Sequence, residues 1–263
     1  MAKPKKKPPA CLFALGRAGL PPSVTTNGVT WRFSKLFKHD FFAATALYER
    51  SDAPKAAADE ARGTQYAVLK VQRTHHLFLF PMRWFGRFIA NHEIRIYQTL
   101  QGIAGIPAFL GRVGDTGFLH AFIPGRELAA DMPFTPQFFD ELEALLAAVH
   151  ARHIAYVDTN KRENILFGDD GRPWLIDFQI SFFPWKYLGN NWPTRRMLLR
   201  LQRADWYHFY KHKTRLMPQH CTPEDFSRAQ RRGILHNIHR RISRPIIALR
   251  RRMLSRYKLE KVK

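Results

Sequence analysis

Residues 156–166 read Tyr156-Val157-Asp158-Thr159-Asn160-Lys161-Arg162-Glu163-Asn164-Ile165-Leu166, and thirteen residues after Asn164 stands Asp177, in Leu175-Ile176-Asp177-Phe178. The first run is a polar loop set between apolar segments. The second places a carboxylate at the end of a strand-like run. Between them, Ile165-Leu166-Phe167, the turn Gly168-Asp169-Asp170-Gly171 and Trp174-Leu175-Ile176 read as a β-hairpin. The hairpin folds the strand end back beside the loop, so Asp158, Asn164 and Asp177 gather oxygen ligands suited to a hard cation such as Mg²⁺.

Upstream, Thr135-Pro136 offers a hydroxyl N-cap and a proline at the first helical position, and Phe138, Phe139, Leu142, Leu145, Leu146 and Val149 continue as an apolar helical stripe. Residues 29–37, 41–48 and 65–71 read as three strands of a small antiparallel sheet, followed by a helix over 84–100 and two short strands near 109–113 and 117–123. In Ala67-Val68-Leu69-Lys70, alternation puts Lys70 on the same face as Val68 and Tyr66. Glu93 falls on the apolar stripe of its helix, between Ile89 and Ile96. A buried carboxylate needs a compensating charge. Either Lys70 and Glu93 meet, or they are unrelated snorkelling side chains.

Taken in order, these pieces resemble the protein kinase superfamily. Ala67-Val68-Leu69-Lys70 is similar to the V-A-I-K strand and Glu93 to its helix partner. Asp158 with Asn164 is similar to the H-R-D-x-x-x-x-N loop, and Asp177-Phe178-Gln179 to D-F-G. Phe118 through Gly125 resembles the hinge between kinase lobes. The resemblance implies an α+β, bilobal protein-kinase-like fold: a small antiparallel-sheet N-lobe over 28–123 and a mainly helical, trimmed C-lobe over 124–230. It also implies roles. Lys70 would hold the phosphates of ATP and Glu93 would fix Lys70. The backbone of Ala121 and Ile123 would meet adenine. Asn164 and Asp177 would ligate Mg²⁺, a site that Mn²⁺ also fits. Asp158 would accept the proton of the attacking hydroxyl, and Lys161 would steady the transferred group.

Several positions depart from the family pattern. No G-x-G-x-x-G is present; the corresponding turn reads Lys38-His39-Asp40-Phe41-Phe42-Ala43-Ala44. Asp158 precedes Asn164 by six positions rather than five, Gln179 replaces the glycine, and no A-P-E follows. Only 86 residues follow Asp177. Such trimming is similar to the compact bacterial branch, as in lipopolysaccharide-core kinases and RIO-type atypical kinases. Asp205 resembles the buried aspartate that braces the catalytic loop there; taken alone it reads equally well as a helix-surface acid.

The whole chain has 263 residues, 45% of them hydrophobic, with 43 Lys and Arg against 21 Asp and Glu, a formal net charge of +22. This composition excludes a disordered or fibrous chain, and the charge seeks anions. Lys3, Lys5, Lys6 and Lys7 mark residues 1–27 as a flexible basic leader. Residues 231–263 carry twelve Lys and Arg against Glu260 alone, with Ile234, Leu235, Ile238, Ile242 and Ile246 at near-helical spacing. This basic amphipathic tail fits an anionic membrane surface better than nucleic acid, because an apolar stripe adds little to phosphate binding. Two cysteines, Cys11 and Cys221, match no metal spacing and fit a reducing compartment. No apolar run is long enough to span a bilayer.

The expectation is therefore a cytoplasmic, monomeric kinase, peripheral on the inner membrane, that uses ATP and Mg²⁺. Its acceptor would be a saccharide hydroxyl of the lipopolysaccharide type. The alternatives are a RIO-like serine/threonine kinase acting on a protein hydroxyl, and a catalytically weak pseudokinase that binds nucleotide and anionic surfaces.

Overall fold

The computed structural model describes residues 9–51, 65–77, 81–184 and 191–230. Strands β1 (Ser23–Thr26), β2 (Val29–His39), β3 (Ala43–Arg50), β4 (Tyr66–Gln72), β5 (Phe109–Val113) and β6 (Gly117–Ala121) form one antiparallel sheet in the order β1-β2-β3-β4-β6-β5. One face carries Trp31, Ala46, Tyr48, Ala67, Leu69 and Leu119, a small core of its own. Helix α1 (Arg83–Leu100) lies beside this sheet. Its Ile94, Ile96, Tyr97 and Leu100 join the larger core, which is shared with α2 (Pro136–Ala151) and α3 (Trp192–Leu216).

Thr135 caps α2, its side chain accepting from the Phe138 N–H, and Asn191 does the same for α3 through the Thr194 N–H. A second, three-stranded sheet, β7 (Gly125–Glu127), β8 (Ile165–Gly168) and β9 (Pro173–Leu175), carries the hairpin that delivers Asp177. Helix α4 (Pro223–Gln230) follows α3. The chain is thus α+β, with an antiparallel-sheet lobe followed by a mainly helical lobe.

The structure corrects the leader. Residues 10–26 belong to the fold: Ala10–Leu12 is a 3₁₀ turn, Leu12, Ala14 and Leu15 are buried, and β1 pairs with β2. Ala14 N–H bonds the Asp40 carbonyl, and its own carbonyl accepts from the Thr74 and His75 N–H groups. Such a segment is ordered by tertiary contacts and shows no period. The β1–β2 turn did carry a local signal, Asn27-Gly28, with φ of +50° and +78° as a tight hairpin of twisted strands requires.

The third strand starts at Ala43 rather than 41, because Asp40 Oδ1 accepts from the N–H groups of Phe42 (2.8 Å) and Ala43 (3.1 Å) and holds a turn there. β6 ends at Ala121, two residues earlier than expected, and β7 was not anticipated. The tail over 231–263 lies outside the described residues, as do residues 1–8 of the leader and residues 52–64, 78–80 and 185–190. Among the described residues no helix is long and apolar enough to cross a membrane.

Candidate active site

Lys70 sits on β4, which is hydrogen-bonded to neighbours on both sides, and Gln72 shares its face. Both side chains are buried and point to where α1 docks. The close approach is made possible by Gly86, where a Cβ would lie 2.0 Å from the Arg73 carbonyl oxygen. Seven residues later, two helical turns and therefore on the same face, comes Glu93. Its Oε1 lies 2.7 Å from Lys70 Nζ, and its Oε2 accepts from Gln72 Nε2 at 2.9 Å. The two lone residues of the sequence are therefore a buried pair.

Lys70 Nζ also bonds Asp177 Oδ1 at 2.7 Å, so one ammonium bridges two carboxylates. The three groups titrate accordingly. Burial works against the Lys70 charge, but Asp177 and Glu93 overcome it and raise the ammonium above its ordinary value. Burial raises Glu93 to about 7, since it is fully enclosed and shares the Lys70 ammonium with Asp177. Burial also acts upward on Asp177, and Lys70, helped by Lys161 and Lys38, holds it below the usual carboxylate range.

Asp177 has φ +60°, a left-handed conformation uncommon outside glycine, which turns the chain sharply at the strand end. The next residue, Phe178, is fully buried, its ring edge-on to Tyr97 at 5.1 Å and to Tyr156 at 5.2 Å. Tyr156 OH donates to the carbonyls of Asn164 and Ile176, tying the loop to the hairpin. Neither tyrosine was singled out from the sequence. The aromatic contact joins three segments far apart in the chain, and no spacing announces it.

The loop itself is held from below by Asp205 of α3, which is 0% exposed. Its Oδ2 accepts from Tyr156 N–H (2.7 Å) and faces His150 Nε2 (3.0 Å), while its Oδ1 accepts from Val157 N–H and Thr159 Oγ1, both at 2.7 Å. Asp205 is thus a brace, not a helix-surface acid. Val157 has φ +68°, and the next residue is Asp158. Asp158 Oδ2 receives Lys161 Nζ at 2.6 Å and Asn164 Nδ2 at 2.7 Å. The six-residue spacing does not separate Asp158 from Asn164. Burial raises the Asp158 carboxyl above its ordinary value, against the pull of Lys161 and Asn164, which makes it a better base.

Lys161 is half exposed, with its ammonium available to a second anion. Among the described residues Asp158 Oδ1 has no recorded partner, and neither do Asp177 Oδ2 and Asn164 Oδ1. Asp177 Oδ2 and Asn164 Oδ1 are hard oxygen donors of the kind that Mg²⁺ takes alongside phosphate and water. Among the described residues no three His, Cys, Asp or Glu gather where they could hold a metal ion.

At the strand end, Ala121 is partly engaged: its N–H bonds the Ala108 carbonyl and its carbonyl faces His120 Nδ1 at 2.9 Å. Ile123, beyond β6, has no recorded backbone partner among the described residues, leaving an N–H and a carbonyl for a planar ligand edge. The turn that stands where a glycine-rich loop would be is fixed from outside. Arg73, fully buried, donates from Nη1 to the Phe41 carbonyl and from Nη2 to the Cys11 carbonyl, each at 2.7 Å, and its guanidinium lies over the Phe41 ring. Lys38 at the end of β2 brings its positive charge toward Asp177. Arg73 and Lys38 were both missed in the sequence, because their roles depend on the leader and the turn folding together.

No protein-family model and no curated protein matches this chain. Among solved structures, the crystal structure of the Rio2 kinase from Chaetomium thermophilum is similar, at 13% identity with a TM-score of 0.48. The match covers 77% of this chain and spans 64% of the length of that kinase.

Proposed function

We propose that this chain is an ATP- and Mg²⁺-dependent phosphotransferase that phosphorylates a hydroxyl of a lipopolysaccharide-type saccharide at a membrane surface. The observation that carries the phosphotransferase reading is Lys70, held 2.7 Å from both Glu93 and Asp177 and facing a loop whose Asp158 is oriented by Asn164 and Lys161. Phosphoryl transfer asks a protein mainly for positioning and for neutralised charge. Lys70 binds phosphate oxygens, Glu93 fixes its position through their 2.7 Å ion pair, and Asp177 with Asn164 would hold Mg²⁺. The cation, when bound, neutralises charge on the phosphates. Asp158 Oδ1 takes the proton of the acceptor hydroxyl as that oxygen bonds the terminal phosphorus and the diphosphate departs with the bridging oxygen. Lys161 offsets charge on the transferred group. Ala121 and Ile123 present backbone groups to the adenine.

The acceptor reading is supported by charge and composition: the +22 net charge and the basic, apolar-striped sequence of 231–263 favour an anionic, membrane-borne substrate. A second reading, nucleotide binding without turnover, is favoured by one observation, the Phe41-Phe42 turn locked by Arg73 where a pliant glycine loop would be expected.

A thermal-shift titration with ATP and Mg²⁺ on the wild type, Lys70→Ala and Asp177→Ala tests the site. At about 100 times its Kd a ligand adds roughly 2.7 kcal/mol. The expected result is a metal-dependent shift that both variants lose; no shift in the wild type removes the nucleotide reading. Turnover in the presence of anionic saccharide, abolished by Asp158→Asn, separates the enzyme from the pseudokinase, and label transfer to protein instead would favour the RIO-like alternative.

A further inference from the structure

Helix α3 has two unlike sides. Leu198, Gln202, Asp205 and Phe209, at spacings of four, three and four, turn inward, and Asp205 there holds the loop that carries Asp158. Trp192, Arg196, Leu199 and Arg203, at the same spacings and offset along the helix, form an outward stripe. Trp192 is 70% exposed and Leu199 46%. Arg195 and Arg200 are exposed as well, and from Trp192 to Ala204 the helix contains no acid. None of these four arginines makes a salt bridge among the described residues. The Arg196 guanidinium lies 5.1 Å from the Trp192 ring centroid, so cation and aromatic face outward as a unit.

From this we infer that the outer stripe of α3 is a docking surface for an anionic lipid bilayer. Charge complementarity names the sign of the partner, since four arginines stand without an acid. The apolar members name its kind: an indole and a leucine side chain left in water gain nothing from a polyphosphate, whereas at a bilayer interface the indole sits at headgroup level and the leucine enters the acyl boundary. The same pairing of basic and apolar residues recurs in the sequence of 231–263, so α3 and that tail would engage one surface together.

One consequence rests on the phosphotransferase reading. A helix with its side chains is about 10–12 Å across, so the loop of Asp158 lies roughly one helix diameter behind the stripe. With α3 seated on a membrane, the site is set for a hydroxyl in the headgroup zone rather than one free in solution.

The test is co-sedimentation of the full chain, without nucleotide, with phosphatidylcholine vesicles and with vesicles containing about one third phosphatidylglycerol. Each arginine near an anionic leaflet is worth about a fivefold gain in partitioning. Arg196→Gln with Arg203→Gln should therefore weaken binding about 25-fold on the anionic vesicles. Trp192→Ala with Leu199→Ala should cost about tenfold, and brominated lipids should quench the wild type more than Trp192→Phe. All replaced side chains are exposed, so unchanged melting temperatures are expected and separate loss of docking from loss of fold.

The inference is overturned if the wild type ignores anionic vesicles, or if both double variants bind as the wild type does, leaving the tail as the whole contact. It is equally overturned if single-stranded RNA binds more tightly than vesicles and the apolar variant leaves that binding unchanged. Because no nucleotide is present, none of these results depends on the phosphotransferase reading, which fails separately in the thermal-shift assay.

Discussion

Replacing Asp205 by asparagine changes one oxygen to an NH₂ group and leaves the shape intact, which makes it a clean probe of the loop that carries Asp158. Each oxygen of Asp205 serves one backbone N–H, Tyr156 through Oδ2 and Val157 through Oδ1, both at 2.7 Å. The other partners can adapt, since Thr159 Oγ1 can turn to accept and His150 can change tautomer. The two backbone donors cannot. Whichever way the amide is oriented, one buried N–H faces another donor, at a cost of about 1–3 kcal/mol, and the remaining bonds lose their charge assistance. The sum is about 3 kcal/mol. For a domain of this size it corresponds to a fall in Tm of roughly 6–12 °C.

The effect on catalysis is larger than the effect on stability. Val157, at φ +68°, is held in its left-handed conformation by the bond to Asp205 and relaxes when that bond is lost. Asp158 moves with it, and a displacement of about 1 Å costs roughly 100-fold in rate. Thermal unfolding by circular dichroism and ATP turnover under saturating nucleotide measure the two effects. An Asp205→Asn protein that melts within about 2 °C of the wild type and turns over at the same rate would refute the bracing role.

Gly86→Ala should destabilise the protein although alanine is the better helix former by about 1 kcal/mol, because its Cβ would sit 2.0 Å from the Arg73 carbonyl oxygen and push α1 off the sheet. Glu93 would retreat from Lys70, so nucleotide affinity should fall together with Tm; a gain in Tm would overturn the packing argument. Acid should unfold the protein early. Burial lowers His120 and His212 each to about 4, while unfolded imidazoles titrate near 6.5, so the unfolded state takes up two more protons as pH drops through that window. The stability these two groups provide is present above pH 6.5 and is lost toward pH 4, the pair contributing up to about 2.7 kcal/mol per pH unit, while Glu93, raised to about 7, takes up its proton first in the folded state and offsets part of that slope. Urea titrations across the window check this: His212→Gln should lower the slope by about 1.4 kcal/mol per pH unit relative to the wild type, and a variant whose profile parallels the wild type contradicts it.

How the candidate site was legible in the sequence follows from what kind of information each part carries. Asp158, Asn164 and Asp177 stand within 20 positions of one another, linked by a hairpin whose turn residues are locally diagnostic. Lys70 and Glu93 were suspect because each broke the apolar pattern of its own element. Strand alternation and helical period thus reported the violations, and a violation inside a core is where a partner must exist. The sheet lobe, the capped helix at Thr135 and the hairpin were visible for the same local reason.

Tertiary structure alone decided the rest. That Lys70 answers two carboxylates rather than one, that Asp205 faces inward, and that Phe178 rests on Tyr97 and Tyr156 are contacts between segments 22 to 107 residues apart. The leader 10–26 was misread because its order comes from Asp40, Thr74 and Arg73 and leaves no period in its own sequence. Composition set the sign of the surface charge. Which arginines face outward beside Trp192 and Leu199 was settled only when the inner stripe of α3 closed on the catalytic loop, because a helix can bury one face only after its neighbours have fixed which face that is.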